Sequence, residues 1–480
     1  MINTNISGGA SGTWRESNRA RWVHLVAGIA GILLLWRIAL EEDLSWIGWV
    51  VAGAALLLSI VSRWPYGALL VLIATSAMPH FFVEIFGWKA RPEHFAVAIV
   101  SVAVGVWLLR HKREIHLEKL DYWVVAYVLI NYASSAFESS APSATLRWAL
   151  LNHLAVLPYF LIRLLITDLE MLRKAFKILL AVGIAESAYG ILCYASHHAF
   201  GSTIGVEIGQ YLVDIAAPYG SLYEANVFGA YTACCAVLFL ALYLGEGKHR
   251  LGYLICLIVA SLASVLSFSR AALLAFVLAI GWVFWHTRHS RNVRRSNLAT
   301  LLPAFALILV IAASVMGGVL RERLGNLFQQ GLAEETTLTR FLEIQEALQE
   351  LPQHPLLGSG TASLQLSFDW GKYVPEWAGN STWVGNVTVR ILHDTGLLGL
   401  IIFLGFLVSL WSRIRRGLRG WNGHAPMLVG LSAGALLYGI SFQATDCTTL
   451  AFCWVHLGCL AAAAILMSDD SHNVVGNART

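Results

Sequence analysis

Apolar stretches as long as a membrane is thick recur along the whole chain. A helix that crosses the hydrocarbon core of a bilayer needs about 20 consecutive, mostly apolar residues. Stretches of this kind fill most of the 480 residues, of which 57% are hydrophobic and only 13% are charged. A water-soluble domain cannot bury so many apolar segments. The sequence therefore predicts an all-α, polytopic membrane helix bundle.

The apolar stretches divide into about fourteen candidate transmembrane helices, with a large outer loop between helices 11 and 12. They are centred on residues 23–35, 44–61, 66–82, 95–109, 123–137, 148–165, 176–195, 226–244, 251–268, 271–285, 300–320, 384–411, 426–441 and 450–467. The predicted divisions are a cytoplasmic N-terminal segment (1–22), a membrane domain (23–320), a periplasmic loop (321–383), a second membrane part (384–467) and a cytoplasmic tail (468–480).

Positive charge marks every second connection between these spans, most densely at 288–295 and 413–419. Loops rich in lysine and arginine stay in the cytoplasm. Both termini are therefore predicted to be cytoplasmic, and the long loops 196–225 and 321–383 periplasmic. Apolar residues at helical spacing within 338–351 predict an amphipathic helix, which either lies on the membrane or packs against the bundle.

Other features limit the classes of partner and cofactor. The net charge of +4 is too small to indicate nucleic acid as a partner. The seven cysteines show no CxxC or Cys/His spacing, so we expect no metal ligands and no cofactor. The polar segment 1–21 leads into a span without a clear cleavage site, so we expect it to be retained.

The stretch 380–400 runs from a polar, aromatic loop straight into an apolar helix. Asn386, Arg390 and His393 follow the spacing of one helical face, and Arg390 and Asp394 are four residues apart, so they can pair. A charge this close to a membrane span is costly, which favours a functional role. An arginine that only anchors the helix end, neutralised by Asp394, is the alternative.

Further polar residues lie near predicted outer ends of spans. Arg270 is the only charge in the tight hairpin SVLSFSRAALLAF; its guanidinium suits phosphate oxygens, and a membrane anchor is the alternative. Arg147 precedes a span and is placed like an anchor. Glu224 and Asn226 lie at the mouth of another span. Glu224 is either a base or sugar ligand, or a helix N-terminal acid.

Four segments, in this order, resemble motifs of the O-antigen ligase and polysaccharide polymerase superfamily of bacterial inner-membrane proteins. SLYEANVFGAY resembles the entry to a central span, and SFSRAALLAF resembles a Ser-Arg hairpin. RFLEIQEALQELPQHPLLGSG, which begins at Arg340, resembles the run in the large periplasmic loop that ends in His-Pro-x-x-Gly-x-Gly. In GNVTVRILHDTGLLGL, nine residues separate Asn386 from Gly396, as in the ligases.

The resemblance implies a substrate, namely a glycan on a polyprenyl diphosphate that is handled on the outer face of the inner membrane. Arg270 would neutralise the diphosphate, with Arg390 as a second cation. The remaining expected substrate-binding residues are Asn226, Asn386, Arg147 and Arg340. Such a leaving group needs no protein nucleophile, but the acceptor hydroxyl needs a base. The candidate bases are Glu224, Asp394 and His393.

The chain departs from the ligases at two places. Gly385 stands where the ligases have the histidine thought to activate the acceptor hydroxyl. Ala-Ala-Pro-Tyr precedes Gly220, where the ligases commonly have an arginine. The ligase mechanism therefore does not transfer intact, and the missing histidine favours a polymerase.

We accordingly predict a polymerase that joins exopolysaccharide or O-antigen repeat units. The alternatives are an O-antigen ligase that transfers glycan to lipid A-core or another acceptor, a transporter or flippase of a lipid-linked or small solute, and a relative that has lost catalysis. The expected partners are the polyprenyl-diphosphate-linked glycan, membrane lipid, and a chain-length regulator or polysaccharide export protein.

Overall fold

The computed structural model describes residues 65–85, 88–111, 117–208, 216–245, 249–288, 335–373, 384–419 and 425–477, together with residue 382 and parts of 300–314. The helices are α1 (Pro65–Ser76), α2 (Pro92–His111), α3 (Lys119–Phe137), α4 (Pro142–Leu165), α5 (Leu169–Phe200), α6 (Ala225–Gly245), α7 (Arg250–Leu266), α8 (Arg270–Thr287), α9 (Glu335–Glu350), α10 (Leu364–Ser367), α11 (Val387–Arg419), α12 (Ala425–Ser441) and α13 (Ala451–Asn477). Two antiparallel pairs of short strands are β1 (Val83–Ile85) with β2 (Trp88–Ala90), and β3 (Val206–Ile208) with β4 (Ala216–Pro218).

Within these residues, seven helices are long and apolar enough to cross a membrane, and three shorter helices are apolar. The prediction of an all-α, polytopic membrane protein is therefore confirmed. Helix α9 lies where the amphipathic helix of the outer loop was predicted. The predicted spans 23–35 and 44–61 and most of 300–320 lie outside the described residues, as do 374–381. The predicted domain boundaries at 320 and 383 therefore stay predictions.

Helix α6 is the centre of the bundle. Every residue of this helix except Asn226 is buried, and α5, α7, α8 and α12 pack around it. A helix that is apolar on all sides, as α6 is, needs protein or lipid on every face. By contrast, α11 buries Phe406 and Leu410 on one face and exposes Ile401 and Val408 on the other, as expected of a helix that faces lipid.

Helix α11 is broken at Gly396. This residue has φ 66° and ψ −168°, a backbone conformation open essentially to glycine alone. The break releases backbone N–H and C=O groups that a regular helix would pair. Inside a membrane protein, such groups must find partners within the protein.

Residues 355–362, here called the strap, supply those partners. The strap carbonyls of Pro355 and Leu356 accept from the N–H groups of Leu397 and Leu398, at 2.9 and 3.1 Å. In return, the N–H groups of Ser359 and Gly360 donate to the carbonyls of His393 and Asp394, at 2.9 and 3.1 Å. The glycine-rich run that contains Gly358 and Gly360 therefore pairs with the break as well as turning the chain.

The strap and five interhelical connections lie at one end of the bundle, here called the loop end. These connections join α1 to α2, α3 to α4, α5 to α6, α7 to α8, and α12 to α13. Hydrogen bonds hold them together: Ser221 donates to Ala77, Val387 donates to Phe442, and Thr361 bonds to Ser135. Arg288, Arg413 and Arg416 lie on the opposite ends of their helices.

Replacing Gly396 by alanine should destabilise the protein. The new Cβ would lie 2.3 Å from the backbone carbonyl of Leu356, and the backbone strain alone costs about 1–3 kcal/mol. Gly281→Ala in α8 is the matched control, because nothing lies within 4 Å of its Cβ position. We expect the melting temperature of purified protein in detergent to fall by several degrees for Gly396→Ala only. Equal melting temperatures for the two variants would contradict the assigned role of the break.

Candidate functional site

The loop end contains a cavity of about 270 Å³. Its walls combine two arginines, one carboxylate, neutral hydrogen-bonding groups and aromatic rings. The lining residues are Pro79, His80, Phe82, Arg91, Trp148, Tyr223, Gln365, Arg390, Asp446 and Thr449. These residues come from distant parts of the chain, so only the tertiary structure brings them together. A concave site of this size with a few convergent polar groups is typical of a small-ligand site.

Arg390 is held between two carboxylates. Its Nη1 lies 2.5 Å from Asp446 Oδ2, and its Nε lies 3.5 Å from Asp394 Oδ2. The hydroxyl and the N–H of Thr448 donate to Asp446, which orients that carboxylate. All three charged side chains are buried. The predicted pairing of Arg390 with Asp394 is present, and Asp446 is a second partner that sequence analysis missed.

Arg91 has its own partners on the opposite side of the cavity. Its Nη1 lies 3.6 Å from a carboxylate oxygen of Glu93, and its guanidinium lies 5.8 Å from the centre of the Tyr223 ring. Burial raises the pKa of Tyr223, so its phenol stays neutral. Burial also lowers the pKa of His80, which therefore presents a neutral imidazole near neutral pH.

The charges around the cavity almost cancel. Arg91 lies beside the Glu93 side chain, and Arg390 lies between Asp394 and Asp446, so each guanidinium already faces at least one acidic side chain. A doubly charged anion would gain little electrostatic stabilisation in this cavity, because acidic side chains already face both guanidinium groups. Neutral donors and acceptors beside aromatic faces suit the hydroxyls and the apolar face of a sugar ring better.

His393 and Asp394 hold Arg390 in place and do not line the cavity. His393 Nε2 lies 2.9 Å from Glu350 Oε2, and its Nδ1 lies 3.1 Å from Asp394 Oδ1. Asp394 Oδ2 also accepts from the N–H of Ala362, at 2.8 Å. This chain of contacts links α9 and the strap to Arg390. The sequence prediction that one of these two residues is the base stays a prediction, and their contacts favour a positioning role.

Glu224 and Asn226 contact each other at the start of α6. Glu224 Oε1 accepts from Asn226 Nδ2, at 2.8 Å, and its Oε2 accepts from the hydroxyl of Thr445, at 3.3 Å. Thr445 precedes Asp446, so Glu224 lies beside the cavity wall. Glu207 accepts from the N–H of Ala225, at 3.5 Å. Burial raises the pKa of Glu207 to about 7, with the negative charge of Glu224 as the second cause.

The four remaining predicted residues do not line this cavity. Arg270 is exposed at the start of α8, where Ser269 caps the helix. Asn386 caps α11 by accepting from the N–H of Val389, at 3.0 Å, and it donates to Gln443. Arg147 is exposed on α4. Arg340 is half-buried on α9.

Sequence analysis missed several lining residues, above all Arg91, Asp446 and Tyr223. The signal available for Asp446 was a single acid between two apolar spans, which is unusual enough to indicate a function. Arg91 and Tyr223 carried no signal of this kind, because each lies in a connection of mixed composition.

Residues 254–404 match the family model for O-antigen ligase. This segment is similar to O-antigen ligases over about a third of the chain. The resemblance seen in the sequence motifs is therefore confirmed. No curated protein sequence matches the chain. Together with the apolar helices, the match indicates a multi-pass inner-membrane enzyme of the O-antigen ligase and polymerase type.

The O-antigen ligase segment runs from α7 into α11 and contains Arg270, Arg390, His393 and the break at Gly396. Arg91, Tyr223 and Asp446, which also line the cavity, come from outside that segment. The family region therefore supplies one wall of the cavity, and parts of the chain that the family model does not match supply the rest.

Removing the Arg390 guanidinium should destabilise the fold. Arg390→Ala leaves Asp394 and Asp446 buried without their cation, and breaking a buried ion pair costs about 3–5 kcal/mol. Arg147→Ala, at an exposed position, should change stability by less than about 0.5 kcal/mol. The melting temperature in detergent measures both. Adding Asp446→Asn to Arg390→Ala should recover part of the loss, because one uncompensated charge disappears; unchanged stability in Arg390→Ala would contradict this assignment.

Glu207 should make stability depend on pH. Its pKa of about 7 in the folded protein exceeds the ordinary value of 4.5, so the folded protein holds a proton that the unfolded chain releases. Its stabilising contribution is complete below about pH 4.5 and is lost as the pH rises through about 7. Melting temperatures between about pH 5 and 8 should therefore fall less steeply for Glu207→Gln than for the wild type. Glu170→Gln, at an exposed site on α5, is the control; parallel curves for wild type and Glu207→Gln would rule out this titration.

Proposed function

We propose that this protein is an inner-membrane glycosyltransferase that joins polyprenyl-diphosphate-linked glycan repeat units on the periplasmic face. In this proposal it is a polymerase of exopolysaccharide or O-antigen. The observation that carries the proposal is the cavity at the loop end, whose aromatic and neutral polar lining fits a sugar. The similarity to O-antigen ligases supports a lipid-linked donor.

The charge balance of the cavity favours separate binding sites for the sugar and the diphosphate. The cavity binds sugar, because each of its arginines is already matched by carboxylates. The diphosphate binds at Arg270, which is exposed at the N-terminus of α8. A guanidinium beside the positive end of a helix dipole favours phosphate oxygens.

The hairpin that carries Arg270 lies next to the Glu224 side of the cavity. Gly229 in α6 packs against it so closely that a Cβ there would lie 2.3 Å from Ser267 Oγ. Gly229 is one helical turn from Asn226, which bonds to Glu224. A diphosphate on Arg270 would therefore place its first sugar toward Glu224 and the cavity.

In the proposed reaction, an acceptor sugar hydroxyl attacks the anomeric carbon of the donor. The new glycosidic bond forms as the bond to the diphosphate oxygen breaks, and the polyprenyl diphosphate leaves with the electron pair. Arg270 stabilises the charge that develops on the leaving group. The positions of the basic clusters support cytoplasmic termini and a periplasmic loop end.

Glycan profiles of a deletion strain that carries each variant test this function. We expect single repeat units on the lipid carrier to accumulate in the deletion strain, and long chains to return with the wild-type gene. Arg270→Ala should restore less than about one hundredth of the polymer, because a cation aimed at developing charge contributes about 10²–10³-fold. Arg288→Ala, at the opposite end of α8, should restore it fully.

Other outcomes identify the alternatives. Long chains that form but stay on the carrier would identify a ligase. Unchanged glycans in the deletion strain, with no redundant homologue in the genome, would favour a transporter. Full polymer with Arg270→Ala, at wild-type protein levels in the membrane, would remove Arg270 from the proposed diphosphate site.

A further inference from the structure

Glu343 on α9 presents a buried carboxylate to the backbone where α11 begins. Its Oε2 accepts from the N–H of Gly385, at 3.1 Å, and its Oε1 accepts from the hydroxyl of Thr382, at 2.6 Å. The side chain is buried, with a total exposed fraction of 8%. Both oxygens are thus held in place by the segment that leads into α11.

The carboxylate lies where a side chain at position 385 would project. A Cβ built on Gly385 would lie 3.0 Å from Glu343 Oε2 and 3.8 Å from Arg340 Cγ. A Cβ at this position would require the carboxylate to shift by a few tenths of an ångström, and a longer side chain would compete with it for the same volume. The glycine and the glutamate are therefore complementary, because the absence of one side chain makes room for the other.

Glu343 lies close to the proposed reaction zone. The charges of Arg340, on its own helix, and of Glu224, at the start of α6, both affect the pKa of Glu343. Glu224 in turn bonds to Thr445, which precedes the cavity residue Asp446. Glu343 is therefore coupled electrostatically to Glu224, which contacts the cavity wall.

Asp446 and His393 are less suited than Glu343 to take a proton. Asp446 is neutralised by Arg390, at 2.5 Å, and His393 is enclosed between Glu350 and Asp394. Glu343 is oriented by a backbone N–H and one hydroxyl, and within the described part of the chain it has no ion pair within 4 Å, so it keeps more of its basicity than Asp446 or His393.

We propose that Glu343 is the general base of the glycosyl transfer and acts in the volume that a side chain at position 385 would otherwise occupy; this inference rests on the proposed function. As the acceptor hydroxyl oxygen bonds to the anomeric carbon, its proton passes to Glu343. The diphosphate leaves with the electron pair of the broken C–O bond. The protonated carboxyl then releases its proton to water, which restores the enzyme.

The environment of Glu343 suits this role. Burial raises the pKa of its carboxyl above the ordinary value, and the hydrogen bonds and Arg340 oppose this increase. A carboxylate with a raised pKa accepts a proton more readily, and a base is most effective when its pKa approaches the working pH. The rate should therefore fall as the pH drops through the pKa of Glu343.

Glu343→Gln separates catalysis from structure, because the amide keeps the size and can still accept from Gly385 while it contacts Thr382. The assay uses the full chain in proteoliposomes with a polyprenyl-diphosphate-linked repeat unit, and it measures kcat, KM and their pH dependence. We expect kcat to fall by about 10²–10⁴-fold with KM and melting temperature unchanged. Glu346→Gln, one turn along α9 and paired with Lys372, should keep the wild-type rate.

A second variant tests the shared location. Glu343→Ala should be inactive, and Glu343→Ala/Gly385→His should recover part of the rate, because an imidazole at position 385 would project into the vacated volume. No recovery in the double variant would contradict the proposal that Glu343 acts in the volume beside position 385.

The remaining outcomes keep the two proposals apart. An inactive wild type with every lipid-linked donor would overturn the proposed function itself. An active wild type with a Glu343→Gln rate within about threefold would overturn only the assignment of the base. In that case, loss of activity in Glu207→Gln would move the base to the Glu207–Glu224 pair.

Discussion

The break in α11 is the constraint on which the rest of the loop end depends. Opening a helix at Gly396 exposes backbone groups that have no water to bind inside a membrane bundle. The strap pairs with these backbone groups on both sides of the break, so residues 355–362 must pack into the bundle. The hydrogen bonds to the strap fix the positions of His393 and Asp394, and Asp394 in turn holds Arg390 in place. The position of one cavity wall thus follows from the pairing of a few backbone groups.

The charges around Arg390 then affect what the cavity can bind. Burying Arg390 requires Asp394 and Asp446 beside it, because an unpaired charge in a low-dielectric interior is costly. Once partnered, the guanidinium shapes and polarises the cavity more than it attracts an anion. Arg270, at an exposed helix start, keeps its access to solvent and headgroups. In the proposed function, Arg390 therefore shapes the cavity and Arg270 binds the diphosphate.

Helix α9 contacts the residues that hold Arg390 and also carries the proposed base. Glu350, at the end of α9, contacts His393 and so helps to hold Arg390 in place. Glu343, two turns earlier, accepts a hydrogen bond from Gly385. A single outer helix thus positions Arg390 through one contact and supplies the proposed base through another.

The sequence alone determined the fold class, the spans that the structure describes, and the resemblance to O-antigen ligases, because apolar length and local motifs are properties of contiguous residues. It also identified the stretch 380–400 and the pairing of Arg390 with Asp394, since four-residue spacing in a helix is local. Only the tertiary structure revealed Arg91, Tyr223 and Asp446 as one cavity, and Glu343 in the space beside Gly385. Those associations join residues far apart in the chain, and they follow from how the strap and helices pack, which no local pattern encodes.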